Sequence, residues 1–196
     1  KILLSKEMLA EEEIMISCFQ QITVFHMVPA LLESWILVFP NDNVERIIMT
    51  GGDRVPQRIE QNLHKKFPKC KLFQFYGPSE CSVLTVGFEN TGQFPPDVLP
   101  LGTAFSNANI HVLSDDLQQC SFFQEGEIVI TGPAVGMGYA NTSSEDNFFN
   151  FNGNPAYRTG DRGLMDNQGQ VYFRGRRDHQ VKINGQRIEL TRIEQQ

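Results

Sequence analysis

The spacing of hydrophobic positions in the first ninety residues alternates between helix and strand. Ile59, Leu63 and Phe67 recur every four residues, which places them on one face of a predicted helix. The apolar run 46–49 predicts a short strand that stops at the glycine pair 51–52. This succession of strands, turns and helices predicts an open, largely parallel α/β layer.

From about residue 91 the pattern changes to short strands separated by turns. The runs 110–112, 127–130 and 171–173 are interpreted as alternating strands, which predict a small barrel or curved sheet. An Asn-Gly pair at 184–185 lies between two apolar runs and predicts a hairpin. The charged residues 174–178 precede this hairpin, and we expect them to form a joint between two bodies.

Composition narrows the class of protein. The 196 residues are 40% hydrophobic and 20% charged, which is typical of a soluble globular chain. A formal net charge of −6 argues against a nucleic-acid partner, because such proteins usually present a basic face. No apolar stretch reaches the roughly 18 to 20 residues that span a bilayer, so no membrane partner is expected.

The cysteines and the chain ends add two further expectations. The four cysteines are far apart and form no C-x-x-C pair, which indicates a reducing, cytoplasmic compartment. No signal peptide is visible. A capping-box spacing at 191–194 is followed by only two residues, so we expect the chain to stop inside a larger fold. A frayed natural C-terminus is the alternative.

Residues 75–80 combine an aromatic ring, a tight turn, a hydroxyl and a carboxylate at the end of a predicted strand. Open α/β sheets bind ligands at this edge. The face of Tyr76 can stack on a purine, while Ser79 and Glu80 offer oxygen ligands to a hard cation. A plain surface turn is the alternative interpretation.

Three later segments also carry chemistry. Residues 157–161 end in Asp161, whose carboxylate can accept two hydrogen bonds from a ribose diol, although for a lone Thr-Gly-Asp an Asx-type turn is the favoured interpretation. Residues 126–139 join a strand to a glycine-rich bend and are interpreted as a scaffold. Residues 175–182 supply cations that can pair with a phosphate or simply face water.

The order and spacing of these segments closely resemble the core motifs of adenylate-forming enzymes. The matching motifs are Tyr-Gly-Pro-Ser-Glu at 76–80, Gly-Glu-Ile-x-Ile-x-Gly at 126–132, Gly-Tyr-x-Asn at 138–141, Tyr-Arg-Thr-Gly-Asp at 157–161 and Gly-Arg-x-Asp-x-Gln-Val-Lys-Ile-x-Gly-x-Arg-Ile-Glu-Leu at 175–190. Within that superfamily the chain most resembles the amino-acid adenylation domains of nonribosomal peptide synthetases. The resemblance extends over nearly the whole chain.

The resemblance implies a fold and a division of the chain. An α/β part at 1–90 and a β-rich, barrel-like part at 91–177 would belong to the large N-terminal subdomain. Residues 178–196 would form the hinge and the start of the small C-terminal lid subdomain. The family's phosphate loop, its acidic residue for the substrate amino group and its late catalytic lysine are not among these residues. We therefore expect the chain alone to have little or no activity.

The resemblance also implies an activity. Family members use ATP and Mg²⁺ to convert an amino acid into an aminoacyl-adenylate, and then transfer it to a phosphopantetheine thiol on a carrier-protein domain beside neighbouring synthetase domains. An acyl-CoA synthetase or a standalone carrier-loading ligase of the same fold is one alternative. A non-catalytic remnant that acts as an interaction module is another.

Several nucleotide contacts follow from the resemblance alone. Tyr76 would stack on adenine, Ser79 would touch the α-phosphate and Glu80 would hold magnesium. Asp161 would bind the ribose hydroxyls, and Arg176 would reach the ribose or a phosphate.

Further positions carry over from the family with some departures. Gly51, Gly52 and Asp53 would line the other side of the adenine, and Gly77 would belong to the nucleotide site. Gln74 stands where the family usually has an Asn that bonds the adenine amino group.

Three positions near the end of the chain also match the family. Phe173 replaces a frequent Tyr that packs near the nucleotide, so a hydroxyl contact is lost there. Asp178 matches the hinge between the two subdomains, and Lys182 lies just beyond it.

The resemblance also implies an acyl pocket. Its readable lining positions are His26, Met49, Gly51, Phe75, Val83 and Leu84. Phe75 would form the floor and fill the volume that a long side chain needs, since protein interiors pack tightly. We therefore expect a small, uncharged amino acid of the glycine, alanine or serine kind. In the alternative, the Phe75 ring turns into the sheet and leaves the pocket deep.

Overall fold

A computed structural model describes residues 12–53, 55–91, 100–140, 147–177, 180–183 and 186–189. The chain divides into two compact units. The first comprises Lys1–Gln74 with Glu89–Phe94, and the second comprises Phe75–Phe88 with Pro95–Gln196. The predicted three-part division at residues 90 and 177 stays a prediction.

The described part of the first unit alternates helices with strands. In chain order these are α1 (Glu12–Gln21), β1 (Val24–Met27), α2 (Pro29–Val38), β2 (Arg46–Gly51), α3 (Gln57–Lys66) and β3 (Cys70–Tyr76), whose last two residues belong to the second unit. The sheet order is β1-β2-β3, and β1 runs parallel to β2 with Val24 opposite Ile47. The predicted parallel α/β layer is thus present.

Periodic apolar positions build the core of this unit. Ile59 and Leu63 of α3 and the following Phe67 are all buried, as their four-residue spacing predicts. The strand β1 alternates buried and exposed side chains, so Phe25 and Met27 face the same core. Burial of these side chains is the main favourable term that holds helices and strands together.

The described part of the second unit consists almost entirely of strands. They are β4 (Val86–Asn90, of which the first three residues belong here), β5 (Pro100–Ala104), β6 (Asn109–Leu113), β7 (Gly126–Thr131), β8 (Phe148–Phe151), β9 (Asn154–Met165), β10 (Val171–Arg176), β11 (Gln180–Ile183) and β12 (Gln186–Glu189). The order of the main sheet here is β4-β5-β10-β9-β7-β6, with β8 also paired to β9. The last two strands form a separate antiparallel hairpin, as the Asn-Gly signal predicts.

Strand β9 organises this unit because it pairs with β7, β8 and β10. Its register against β7 is interrupted: Arg158 lies opposite Val129 and Arg162 opposite Glu127. Three β9 residues, 159–161, therefore face the single β7 residue Ile128. Such a bulge bends a strand and redirects its side chains.

One sequence expectation differs from the structure, and another is covered only in part. Residues 174–176 of the expected joint lie within β10, and the joint itself stays a prediction because residue 178 lies outside the described residues. The Thr-Gly-Asp segment is the bulged middle of a twelve-residue strand instead of a connecting turn. The Thr-Gly-Asp segment and residues 174–176 both lie in strands of the main sheet. Pairing with the neighbouring strands outweighs the local turn preference of the Thr-Gly-Asp segment.

No helix in the part of the chain that the structure describes is long and apolar enough to cross a bilayer.

Candidate functional site

The turn after β3 is shaped by a close backbone approach at Gly77. A Cβ atom built on Gly77 would lie 2.4 Å from the carbonyl oxygen of Val83, so only glycine fits there. The Pro78 carbonyl accepts hydrogen bonds from the amides of Cys81 (3.0 Å) and Val83 (3.3 Å). The chain thereby forms a single 3-10 turn, Ser79–Cys81, that presents the predicted ligands.

The three residues of this 3-10 turn have different environments. Ser79 is exposed, Glu80 is half-buried and Cys81 is fully buried in an apolar cluster. The buried Cys81 anchors the turn, because its side chain packs with Ala134 and Tyr157. Burial raises the pKa of the Cys81 thiol to about 12. The thiol therefore stays neutral, and the hydroxyl and carboxylate are left at the surface.

Backbone strain marks the end of the same turn. Ser82 and Val83 have φ values of 60° and 71°, in the left-handed region. That conformation is a genuine outlier for a β-branched residue, and such strain concentrates at functional sites. The strained Val83 side chain is 56% exposed, at a position predicted to line the acyl pocket.

Asp161 lies on the bulge of β9 and is 6% exposed. Thr159 holds the bulge: its hydroxyl donates to the Ile128 carbonyl (2.7 Å) and accepts the Asp161 amide hydrogen (3.0 Å). Gly160 has a φ of 72° and lets the strand make the extra step. Bulge geometry therefore sets the direction of the Asp161 carboxylate.

Two other predicted nucleotide residues converge on this carboxylate. The Tyr76 hydroxyl donates to Asp161 Oδ2 (2.6 Å), and Arg176 donates to Oδ1 (2.5 Å) from its position opposite Asp161 on β10. Burial of the hydroxyl and the neighbouring carboxylate raise the pKa of Tyr76 well above its usual value. Tyr76 therefore remains a hydrogen-bond donor, and the guanidinium compensates the buried carboxylate charge.

A second buried carboxylate supports the bulge from the β7 side. Glu127 pairs with Arg158 (2.5 Å) and Arg177 (3.3 Å) and accepts the Gly160 amide hydrogen at 3.2 Å. The sequence pattern predicts only a scaffold at residues 126–139, so this role of Glu127 was missed. Local sequence carries no signal for it, because the pairing of Glu127 with Arg158 depends on the register between β7 and β9.

The glycine-rich segment 132–139 contacts the 3-10 turn. The Gly136 amide donates to the Glu80 carbonyl (2.8 Å), and the Ser82 hydroxyl donates to the Ala134 carbonyl (3.1 Å). The Tyr139 hydroxyl donates to Glu80 Oε1 (2.7 Å). The segment therefore holds both the backbone and the side chain of Glu80.

The chemistry around Glu80 fits a magnesium ion that is bound together with a nucleotide. No group of three or more His, Cys, Asp or Glu side chains gathers among the described residues. Mg²⁺ usually takes one or two carboxylates and fills its other positions with phosphate oxygens and water. The Glu80 carboxylate, a hard oxygen donor on a partly exposed turn, meets this requirement.

Other predicted nucleotide residues lie in the first unit. Gly52 has a φ of 86° and, like Asp53, is exposed directly after β2, which Gly51 ends. Gln74, on β3, is 9% exposed, and its amide nitrogen has no hydrogen-bond partner. An orphaned buried amide is costly, so this side chain is suited to a polar ligand.

The remaining predicted positions divide between the two units. His26 is exposed on β1 and Met49 is half-buried on β2 of the first unit. In the second unit, Phe75 packs against Phe105 with ring centroids 5.8 Å apart, and Leu84 is half-buried.

The predicted residues of the last segment are only partly covered. Phe173 is 40% exposed on β10. Asp178 lies outside the described residues, and of Lys182 the structure describes only its place in β11.

Comparisons with known proteins identify the family and the fold of the chain. The sequence profile of the family described as AMP-binding enzyme matches residues 2–140. A D-alanine–D-alanyl carrier protein ligase of Bacillus licheniformis is 38% identical over 154 residues, which cover 76% of this chain and 30% of that ligase. A ligase of the same name from Lactiplantibacillus plantarum is 34% identical, over 88% of this chain and 36% of its own length. The chain thus spans about a third of the length of the curated relatives it matches.

Solved structures share the fold. A nonribosomal peptide synthetase protein that contains adenylation and PCP domains, bound to a vinylsulfonamide inhibitor, superposes with a TM-score of 0.81 at 25% identity, covering 94% of this chain and 34% of that one. The Vibrio cholerae adenylation domain AlmE, in complex with glycyl-adenosine-5'-phosphate, gives 0.76 at 25% identity, with 90% and 35% covered.

These matches confirm the predicted resemblance and the predicted fold class, which is that of the large N-terminal subdomain of adenylate-forming enzymes. The family profile extends over more than half of the chain. The chain belongs to the AMP-binding enzyme family.

Proposed function

We propose that this chain is part of an adenylate-forming ligase that activates a small amino acid with ATP and loads it onto a carrier protein. The observation that carries the proposal is the convergence of Tyr76 and Arg176 on the Asp161 carboxylate. Three residues that the family motifs assign to one nucleotide meet at a single buried acid in the second unit.

Each member of this cluster has a distinct part in binding the nucleotide. Asp161 accepts the ribose hydroxyls, since a carboxylate is a strong acceptor, and Arg176 pairs with it. The bond from its hydroxyl orients the Tyr76 ring, so the ring can stack on adenine without rotating away. Arg176 also adds positive charge close to where the phosphates bind.

The turn Ser79–Cys81 is proposed to bind the phosphates and their magnesium ion. We assign Ser79, an exposed hydroxyl donor, to the α-phosphate, and Glu80 to the magnesium ion. When bound, the ion neutralises phosphate charge and orients the phosphates for attack by the amino-acid carboxylate. Gly77 lets the chain make this turn beside Val83.

The curated relatives favour a carrier-loading ligase over a nonribosomal peptide synthetase. The sequence resemblance favoured a nonribosomal peptide synthetase, with a carrier-loading ligase as the alternative. Both relatives described above are carrier protein ligases for D-alanine, so the alternative is the better-supported reading. D-Alanine is also the kind of small, uncharged amino acid that the pocket residues predict.

A nonribosomal synthetase module is the second candidate function. It is favoured by the fold match to a synthetase protein that carries adenylation and PCP domains. In both candidates the acceptor is the phosphopantetheine thiol of a carrier, and ATP and Mg²⁺ are the cofactors. Neighbouring synthetase domains and the cytoplasmic location stay predictions.

The decisive test is Asp161→Ala in the natural protein expressed from its whole reading frame. Each charge-assisted hydrogen bond from the ribose contributes about 1.5 to 3 kcal/mol, so the apparent affinity for ATP should fall at least tenfold. The assay is amino-acid-dependent ATP–pyrophosphate exchange. Asp166→Ala is the matched control, because Asp166 is equally buried but bonds Tyr172 away from the cluster.

The same assays distinguish a carrier-loading ligase, a synthetase module and a non-catalytic remnant. Exchange that depends on alanine, followed by loading of a separate carrier protein, supports the carrier-loading ligase. Loading only of a carrier domain in the same polypeptide supports the synthetase. Absence of exchange with every amino acid, or an unchanged ATP affinity in Asp161→Ala, contradicts the proposed site.

Substrate size is tested at Phe75. We propose that Phe75, Val83 and Leu84 narrow the pocket within the second unit, where Phe75 packs against Phe105. Phe75→Gly should extend the substrate range to bulkier side chains, because removing a ring opens a cavity that apolar groups can fill. A wild-type protein that already prefers large aromatic amino acids contradicts this pocket. The first-unit positions His26, Met49 and Gly51 stay a prediction.

The hinge role of Asp178, with Lys182 beyond it, also stays a prediction. Proline fixes φ, so Asp178→Pro should spare adenylate formation more than transfer to the thiol. Equal loss of both half-reactions contradicts the hinge. The other nucleotide positions, which are Gly51, Gly52, Asp53, Gln74 and Phe173, also stay predictions.

A further inference from the structure

We infer that Tyr139 is a positioning residue that holds the Glu80 carboxylate in the orientation in which it takes a divalent cation. This inference rests on the proposed function, in which Glu80 is the protein ligand of magnesium. Its central observation is the hydrogen bond from the Tyr139 hydroxyl to Glu80 Oε1, 2.7 Å long.

The Tyr139 hydroxyl is held in place by the aromatic side chains around it. Its ring lies edge-on to Phe148, with centroids 5.3 Å apart and planes at 82°. The Phe148 ring in turn packs on Tyr157, which is fully buried, and the Tyr157 hydroxyl lies 3.5 Å from that of Tyr139. Edge-to-face contacts of this kind restrict ring orientation, so the donor is presented from a rigid base.

The backbone holds the two segments in register. The Gly136 amide donates to the Glu80 carbonyl at 2.8 Å, and the Ser82 hydroxyl donates to the Ala134 carbonyl at 3.1 Å. Gly138, directly before Tyr139, has a φ of 120°, which turns the chain toward the carboxylate. The hydrogen bond is thus part of a docked segment that is also attached at the Glu80 carbonyl and at the Ser82 side chain.

The physical need for such a residue follows from the ligand. A glutamate side chain on a partly exposed turn has three rotatable bonds and samples many positions. Mg²⁺ tolerates little deviation from octahedral geometry. A hydrogen bond to one carboxylate oxygen restricts those rotations, and partners of this kind typically change metal affinity 10- to 100-fold, a rough range.

The test is Tyr139→Phe in the natural protein, with ATP binding measured by calorimetry at a series of Mg²⁺ concentrations and also in EDTA. Phenylalanine keeps the ring and its packing on Phe148 and removes the hydroxyl, with its bond to Glu80 and its longer contact with the Tyr157 hydroxyl. We expect the Mg²⁺ concentration for half-maximal tightening of ATP binding to rise about tenfold. The affinity for ATP in EDTA should not change, because the ribose and adenine contacts remain.

Tyr172→Phe is the matched control. The Tyr172 hydroxyl also donates to a carboxylate, Asp166 Oδ2 at 3.0 Å, so this variant removes a bond of the same type elsewhere in the unit. Its Mg²⁺ dependence should equal that of the wild type. Near-ultraviolet circular dichroism of each variant verifies that packing is retained.

The possible results are distinguishable. If wild-type ATP binding does not depend on Mg²⁺, the proposed role of Glu80 fails and the role of Tyr139 fails with it. If the wild type depends on Mg²⁺ and Tyr139→Phe depends on it equally, Tyr139 only packs and the inference is overturned. If Tyr139→Phe weakens ATP binding equally with and without Mg²⁺, Tyr139 acts on the nucleotide and not through the metal, which also overturns it.

Discussion

Two shielded arginines, one in each compact unit, differ in the partners of their guanidinium groups. Arg46 begins β2 in the first unit and is 1% exposed. It donates to the carbonyls of Phe19 (3.1 Å) and Ile22 and pairs with Asp42, while its guanidinium lies 4.1 Å from the centre of the Phe19 ring. These partners join the end of α1 to the start of the sheet.

Arg176 in the second unit has a different kind of partner. It donates to the Asp161 carboxylate, which also accepts a hydrogen bond from Tyr76 and lies on a strand bulge. It also donates to the carbonyl of Thr159, the residue that holds the bulge, at 3.4 Å.

The difference shows that burial of a charge does not by itself mark a functional site. Arg46 satisfies backbone carbonyls, so its role is to hold elements together. Arg176 compensates an acid whose geometry is set by an irregular backbone. The same acid contacts Tyr76, whose pKa is raised, and groups with perturbed pKa values are typical of functional sites. Four predictions, from the largest expected effect to the smallest, test this distinction.

Arg46→Ala should produce the largest loss of stability. The variant leaves two buried carbonyls without a donor and creates a cavity beside Phe19, so the free energy of unfolding should fall by about 3 kcal/mol. Urea denaturation of the natural protein measures this change. Arg58→Ala is the control, because the Arg58–Glu33 pair is exposed and should leave stability nearly unchanged. An equally large loss of ATP affinity in folded Arg46→Ala contradicts the comparison.

Arg176→Lys should show the reverse pattern. Lysine keeps the charge but loses the planar fork that reaches Asp161 Oδ1 and the Thr159 carbonyl. We expect the dissociation constant for ATP to rise about tenfold, with about 1 kcal/mol lost from the free energy of unfolding. Calorimetry and urea denaturation on the same samples give both numbers. A change in stability without a change in affinity would make Arg176 structural, like Arg46.

Glu127→Gln should reduce both stability and ATP affinity, each by a moderate amount. Removing the charge weakens the pairs with Arg158 and Arg177 and loosens the bulge that carries Asp161. We expect a loss of about 1 to 2 kcal/mol in stability and a rise of about threefold in the ATP dissociation constant. Glu125→Gln, which alters only an exposed pair with Arg174, should change neither. A normal ATP affinity in Glu127→Gln argues that the bulge does not need this support.

Tyr76 gives a small effect that appears only at alkaline pH. The pKa of Tyr76 is raised in the folded state, so above about pH 10 the unfolded chain loses a proton that the folded chain keeps. The free energy of unfolding should therefore decline as pH rises, by at most about 1.4 kcal/mol per pH unit for this group. Tyr76→Phe should make the decline shallower. Identical slopes for the two proteins would show that burial and Asp161 do not raise the pKa of Tyr76 in the folded protein.

Much of the fold could be predicted from the sequence because local periodicity reflects which faces are buried. The strands β2, β6 and β7, the helix α3 and the final hairpin all follow from apolar spacing or turn residues. Strands β8 and β9 did not. Pro155, Gly160 and Gly163 interrupt the pattern of β9, and pairing with three neighbouring strands stabilises it in spite of them.

The candidate site shows the same limit on what local sequence determines. The family motifs indicated Tyr76, Glu80, Asp161 and Arg176, and each of these side chains suits one part of a nucleotide or its metal. The role of Glu127 was missed, since it depends on the register between β7 and β9.

The sequence by itself determined the residue types, the helix and strand periodicities and the family motifs, because these depend on local chemistry and spacing. Tertiary structure alone decided which of these residues meet. Tyr76 and Asp161 are 85 residues apart, and Glu80 and Tyr139 are 59 apart, yet each pair shares a hydrogen bond. Such pairs form only when strand register and a docked glycine-rich segment bring distant parts of the chain within about 3 Å.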